Sequence, residues 1–397
     1  MNSVSEIEYP RKILDYMEGF LVSKTLFAAC ELGVFDFLQA SGPPRSAAEV
    51  AGGLKTSVDG MERLLAACVG LQLLHAHTQN GEALYSNTEL SNIYLTRASP
   101  KSLYHSIQYN SQTIYLCWHY LTDAVREGTN QNEKAFGVSS CDLFDALYRS
   151  DEEMRKFMQL MNSVWNICGR DVVTAFDLSP FKTIYDLGVL GPWVQFLGCY
   201  LCRVCMFSQC SCTYIRYRPV THCKRNLKET QKEQRILFIS QSGALAKLCV
   251  REYPESTVTI FDLPKVVHTA REHFVSSEER RISFHEGDFF KDPLPEADLY
   301  ILARVLHDWT NTRSLELLTK VYRACKPGGG VLLVEALLNE DRSGPLTTQL
   351  YSLNMLVQTE GRERTPSEYI SLMATAGFTD IRVQRTGKIY DVILGRK

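Results

Sequence analysis

The chain has 397 residues, room for two domains, with 45% apolar and 22% charged residues and a net charge of −2. That composition excludes a disordered chain, and its charge balance lacks the basic excess of a dedicated nucleic-acid binder. No stretch reaches the roughly 18–20 apolar residues of a membrane span, no secretory signal opens the chain, and thirteen cysteines then read as reduced thiols in a cytoplasmic protein.

In chain order, Ile13, Tyr16, Met17, Phe20, Leu21, Phe27 and Ala28 fall at helical spacing until Gly33 breaks the run. Two shorter helices are predicted over 46–52 and 57–74, each opened by a serine suited to capping. Leu73 to His77, Asn80-Gly81 and Ala83 to Tyr85 then carry the signature of a hairpin. Three helices and a two-stranded wing make a winged helix over residues 1–105. A helix seated in a DNA groove carries several basic residues, and 57–74 has only Arg63 beside Asp59 and Glu62. No nucleic-acid partner is expected. The apolar face of the first helix, on a domain of this size, predicts a homodimer instead.

Residues 106–180 read as a helical layer rich in Tyr, Trp and Met, closed by Pro180. Beyond it, strands are predicted at 184–187, 258–261, 282–284, 299–303 and 331–335, with helices at 244–252, 266–273, 315–325 and 367–376. This alternation implies an α/β domain over 106–397, built on a doubly wound, Rossmann-like parallel sheet. Two last strands, 381–384 and 390–394, are separated by a short connection and should pair antiparallel at the sheet edge.

Residues 189–239 break the rhythm. They hold six of the thirteen cysteines and eight basic residues against two acidic ones. Ile184 to Gly188 reads as a first strand running into a glycine turn, where a nucleotide-like ligand sits at the carboxyl ends of the strands. Asp262, closing the next strand, suits a ribose. That pair is normally about 20 residues apart. Here 76 residues separate Asp186 from Asp262, and 25 once 189–239 is set aside. The segment is therefore read as an insertion in the cofactor loop. Cys199, Cys202 and Cys205 with His222 and Cys223 raise a zinc reading, but the spacing lacks two separated pairs, and no metal is expected.

Asp262-Leu-Pro, Gly287-Asp288-Phe289-Phe290, Ala303 to Trp309 (ARVLHDW), Lys326-Pro-Gly-Gly-Gly330, Glu335, Asn354-Met355 and Gly361-Arg-Glu-Arg-Thr365 recur in one order. Together they resemble the small-molecule O-methyltransferases that use S-adenosylmethionine. The likeness runs from Phe27 to the C-terminus, leaving out 189–239, and implies methyltransferase activity with S-adenosyl-L-methionine as co-substrate. The implied acceptor is a small aromatic hydroxyl compound, N-acetylserotonin.

Methylating a hydroxyl requires a base and alignment of the oxygen with the methyl group. His307 is the expected base, since an imidazole titrates near neutral pH, with Glu335 and Glu363 flanking it. Asp308 and Asn354 are expected at the acceptor, where an amide side chain offers both a donor and an acceptor. For the cofactor the resemblance implies Gly188 at the turn, Asp262 at the ribose, Asp288 and Phe289 around the adenine, and Arg304 at the methionine carboxylate. It places Tyr148 and Trp165 in a helical lid. An alternative reading keeps dimerisation alone, the cofactor loop being disrupted by the insertion.

Overall fold

Local capping starts many of the helices. Ser46 accepts from the Glu49 N–H while the Glu49 carboxylate accepts from the Ser46 N–H, opening helix Ala47–Leu54. Ser57 caps Val58–Gly70 in the same position, and Gly33, left-handed at φ 81, ends the first helix, Arg11–Leu32. These features belong to a computed structural model that describes residues 10–137, 150–188, 243–276 and 278–397. Tyr148 and the segment 189–239 lie outside the described residues.

The N-terminal layer contains the expected hairpin, β2 (Leu74–Gln79) and β3 (Glu82–Asn87), turning on Asn80 and Gly81 with φ 53 and 83. The predicted helix 57–74 stops earlier, at Gly70, because Leu74 already belongs to β2. A two-residue strand, β1 (Arg45–Ser46), adds to β3 and makes the wing three-stranded. The first helix divides in use: Ala29 and Cys30 are buried, whereas Ile13, Met17, Phe20 and Leu21 are 65, 63, 54 and 52% exposed. Its first half therefore carries an uncovered apolar face.

The second layer is a seven-stranded sheet in the order β6-β5-β4-β7-β8-β10-β9. Its strands are β4 (Thr183–Leu187), β5 (Thr257–Asp262), β6 (Ile282–Glu286), β7 (Ala297–Ala303), β8 (Cys325–Glu335), β9 (Thr379–Gln384) and β10 (Asp391–Arg396). The first five are parallel, and β10 inserts antiparallel between β8 and β9. Val258, Ile260, Leu299, Ile301, Leu332 and Val334 fill one face of it, with Phe261, Tyr300, Leu302, Val331 and Leu333 on the other. This near-continuous apolar character is what burial on both faces requires. Helices Val34–Ser41, Glu89–Tyr94 and Leu346–Gln358 were not predicted; on the last, Leu346, Leu350 and Leu353 point outward, so its apolar spacing does not mark a core face. No described helix is long and apolar enough to cross a membrane.

Candidate active site

The site is assembled by strand register. Ala303 pairs with Val334 in parallel β7 and β8, which sets Arg304 beside Glu335 at the strands' carboxyl ends. A parallel bridge between Leu337 and Arg364, with the Leu338 N–H on the Arg364 carbonyl, brings Glu363 to the same point. Arg304 donates from Nη1 to Glu335 Oε2 and Glu363 Oε2, both at 3.1 Å, and from Nη2 to Glu363 Oε1 at 2.6 Å. Its backbone is left-handed at φ 59, a strained setting for a residue with a Cβ and one found at functional sites.

His307 stands against this cluster. Its Nδ1 lies 2.9 Å from Arg304 Nη2 and 3.5 Å from Glu363 Oε1. Its Nε2 is 3.2 Å from the Arg304 carbonyl and 3.5 Å from Asp308 Oδ1. Burial and the Arg304 charge disfavour a protonated ring, but Asp308 and Glu363 outweigh them, so the His307 pKa is raised. Burial pushes Glu363 up as well, yet Arg304 and His307 bring it down to about 2. Glu335 moves the other way, raised chiefly by burial.

The loop bearing His307 is fixed from behind by Arg364, a buried side chain that the sequence showed only as part of a motif. Its guanidinium donates to the carbonyls of Leu306 (2.8 Å) and Trp309 (2.6 Å) and to Asn311 Oδ1 (2.9 Å). Gly361 lies so close that a Cβ there would overlap the His307 carbonyl. Glu335 Oε1 accepts from the Leu306 N–H at 3.0 Å, so one carboxylate holds both the loop and Arg304.

His307, Asp308, Arg304 and Asn354 line one cavity of about 190 Å³, walled by the apolar side chains of the helical layer and of helix Leu346–Gln358. Tyr351 and Tyr390 line it too; neither stood out in a sequence where tyrosine occurs throughout. A second, smaller cavity is lined by Trp165, Asp186, Gly188, Gly243 and Asp262. The Leu187–Phe261 pairing of β4 with β5 sets Gly188 beside Asp262. The two cavities adjoin, for Ala303 lines one and Arg304 the other, and Trp165 packs 5.5 Å from Tyr390.

The smaller cavity fits a ligand rich in hydroxyl groups. Asp262 is fully buried; Oδ1 accepts from the Leu263 N–H, and Oδ2 has no hydrogen-bond partner among the described residues. Burial raises Asp262 to about 8 and its neighbour Asp186 to about 7. Asp186 was visible in the first-strand motif but not singled out as a site residue. Gly243 has φ 74 and opens helix Ala244–Glu252, placing a helix N-terminus at this cavity. Asp288 and Phe289 line neither cavity. They follow β6 in a loop joined to the site by the Gly287 N–H on the Asp262 carbonyl, at 2.9 Å. His307, Glu335 and Glu363 place donor atoms within 4.8 Å of one another, as a metal site would. The Arg304 guanidinium, bonded to all three, already supplies the positive charge there.

Comparison with known proteins is decisive at this point. Residues 118–199 and 240–379 match the O-methyltransferase domain family, and residues 14–97 match the O-methyltransferase dimerisation domain. The chain belongs to the O-methyltransferase family. Among curated relatives of this O-methyltransferase, the acetylserotonin O-methyltransferase of Gallus gallus is 56% identical over 397 residues, spanning all of both chains. That of Homo sapiens is 49% identical over 393 residues, 99% of each. The solved structure of human N-acetylserotonin methyltransferase in complex with SAM superposes with a TM-score of 0.84 at 48% identity, covering 100% of this chain and 99% of that one. PigF with SAH does so at 0.76 and 26%, covering 98% and 99%. The domain match in this O-methyltransferase passes over 200–239 and resumes at 240, so 189–199 of the expected insertion fall inside the match and only its end agrees.

Proposed function

We propose that this chain transfers a methyl group from S-adenosyl-L-methionine to the hydroxyl of N-acetylserotonin, giving melatonin and S-adenosylhomocysteine. The observation that carries the reading is His307, flanked by carboxylates and lining a cavity of about 190 Å³ beside the one that holds Asp262. Full-length identity of 56% to a named acetylserotonin O-methyltransferase favours it over a chain retaining dimerisation alone.

S-adenosylmethionine supplies an electrophilic methyl group on a sulfonium sulfur. Asp262 Oδ2 would take its ribose hydroxyls, with Gly188 allowing close backbone approach and Asp288, Phe289 and the lid residues Tyr148 and Trp165 around the nucleoside. Arg304 would meet its carboxylate. His307 takes the acceptor's hydroxyl proton on Nε2, in the tautomer that holds its other proton on Nδ1 toward Glu363 Oε1. The imidazolium so formed lies between Glu363 and Asp308, each 3.5 Å from a ring nitrogen. Arg304, itself anchored on Glu335, keeps Glu363 ionised and in place, the role of the buried acid behind a catalytic histidine.

Asp262→Ala removes a buried carboxyl that, ionised above its raised pKa of about 8, accepts charge-assisted hydrogen bonds. Isothermal calorimetry with S-adenosylhomocysteine should show affinity falling about 10- to 100-fold, from the roughly 1.5–3 kcal/mol such bonds contribute. Unchanged affinity would remove Asp262 from the cofactor site.

The working unit in this reading is a cytoplasmic homodimer, with residues 1–105 as the dimerisation domain and 106–397 as the methyltransferase domain. The exposed face of Ile13, Met17, Phe20 and Leu21 supports the pairing. Among the described residues, the six buried free thiols of Cys30, Cys68, Cys117, Cys168, Cys249 and Cys325 suit a reducing compartment. Sedimentation at micromolar concentration should give the mass of two chains, and of one chain for a Phe20→Glu, Leu21→Glu double variant. A one-chain mass for the unaltered protein would refute the dimer.

A further inference from the structure

Asn354 lines the acceptor cavity, and its side chain is held by a residue that does not line it. Trp118 Nε1 donates to Asn354 Oδ1 at 2.8 Å. An indole N–H only donates, so the amide atom facing it is the oxygen. That bond takes one lone pair of Oδ1 and fixes the amide's orientation, so that Nδ2, with its two protons, is the edge turned away from the indole.

Trp118 is itself fixed. It is half-buried and packs in a cluster with Cys117, Ala124, Val357, Leu121 and Leu356. Its side of the fold is tied to the helix of Asn354 by the Gln131 N–H on the Val357 carbonyl and Asn132 Nδ2 on the Gln358 carbonyl, both at 3.0 Å. The two partners therefore meet in one geometry, across 236 residues of sequence.

We propose that Trp118 is a positioning residue that sets acceptor specificity: it turns the Asn354 amide so that Nδ2 donates toward an acyl carbonyl, and directs the oxygen that an ammonium would need at the indole. The inference rests on the acceptor reading above and adds what selects within it. A hydroxyindole with a free amino group is protonated at neutral pH and brings a donor to a donor. An N-acyl group brings a carbonyl. A site built to bond one group strongly rejects the analogue that leaves its own polar atoms unpaired. Asp308, the cavity's carboxylate beside His307, lies at the reacting end, so an ammonium drawn there is held in a non-productive pose.

The test measures binding of N-acetylserotonin and serotonin by calorimetry in the presence of S-adenosylhomocysteine, on the full chain and on two variants. The unaltered protein should bind the amide at least about tenfold more tightly than the amine. Trp118→Phe keeps an aromatic ring in the cluster but removes the N–H; it should narrow that ratio by about tenfold or more, through weaker amide binding. Its affinity for S-adenosylhomocysteine should not change, and its kcat at saturating N-acetylserotonin should stay within about twofold. Asn354→Asp keeps an oxygen for Trp118 and turns a second one toward the ligand, so preference should shift toward the amine. A Trp118→Phe protein that binds S-adenosylhomocysteine normally and keeps the full ratio overturns the proposal. So does one that loses S-adenosylhomocysteine and both acceptors together, since Trp118 is then structural. If the unaltered protein binds neither acceptor, the acceptor reading itself falls, and this inference with it.

Discussion

His307→Ala should lower turnover at least about 100-fold, the low end for loss of a general base. Affinity for S-adenosylhomocysteine should survive, because the ring faces the acceptor cavity and not the one that holds Asp262. The pH profile of the unaltered enzyme gives an independent check. His307 acts as a base only when deprotonated, and Asp308 and Glu363 raise its pKa above the ordinary 6.5. Turnover should therefore rise with pH through a midpoint above 6.5. That limb should be absent from the residual activity of the variant. Unchanged turnover, or the same acid limb in His307→Ala, would take His307 out of the mechanism.

Arg304→Met should have the largest effect on stability. The guanidinium neutralises Glu335 and Glu363, both fully buried, and removing one member of such a group leaves an uncompensated charge at a cost of about 3–5 kcal/mol. Denaturant unfolding at pH 7 measures this directly. The sign of its pH dependence follows from Glu363, whose pKa Arg304 helps bring down from 4.5 to about 2 against the effect of burial. A lowered folded-state pKa contributes stability above the unfolded value and loses it as pH falls. The gap between unaltered protein and variant should then shrink as pH drops from 4.5 toward 2. Because Arg304 also disfavours the His307 imidazolium, the acid limb of any remaining activity should move to higher pH. Arg304→Lys keeps the charge but not the fork that reaches both carboxylates, and should recover part of the stability. Equal stability of Arg304→Met and the unaltered protein would contradict the buried network.

Much of this protein was decided locally. Asn80 and Gly81 accept positive φ, so the hairpin was legible from two letters. Period-two and continuous apolar runs marked all seven strands of the main sheet, because burial on one or both faces dictates them. His307, following such a strand in a recurring motif, was legible as a candidate base, since active residues gather at the carboxyl ends of parallel strands. The N-terminal half of the first helix announced its apolar face, and the fold leaves that face uncovered.

Other features exist only in three dimensions. Sequence chemistry made Glu335 and Glu363 partners for a histidine, but a parallel register and the Leu337–Arg364 bridge placed Arg304 between them. Helix Leu346–Gln358 escaped notice because its regularly spaced leucines face outward, and periodicity reports cores, not uncovered faces. Asn354 could be read as an amide near the acceptor, with donor and acceptor equally available. The direction of that amide is set by a bond from Trp118, whose N–H arrives from a distant part of the chain. Hydrogen-bond direction between residues remote in sequence depends on packing that brings them within 3 Å, and no local pattern of residues encodes it.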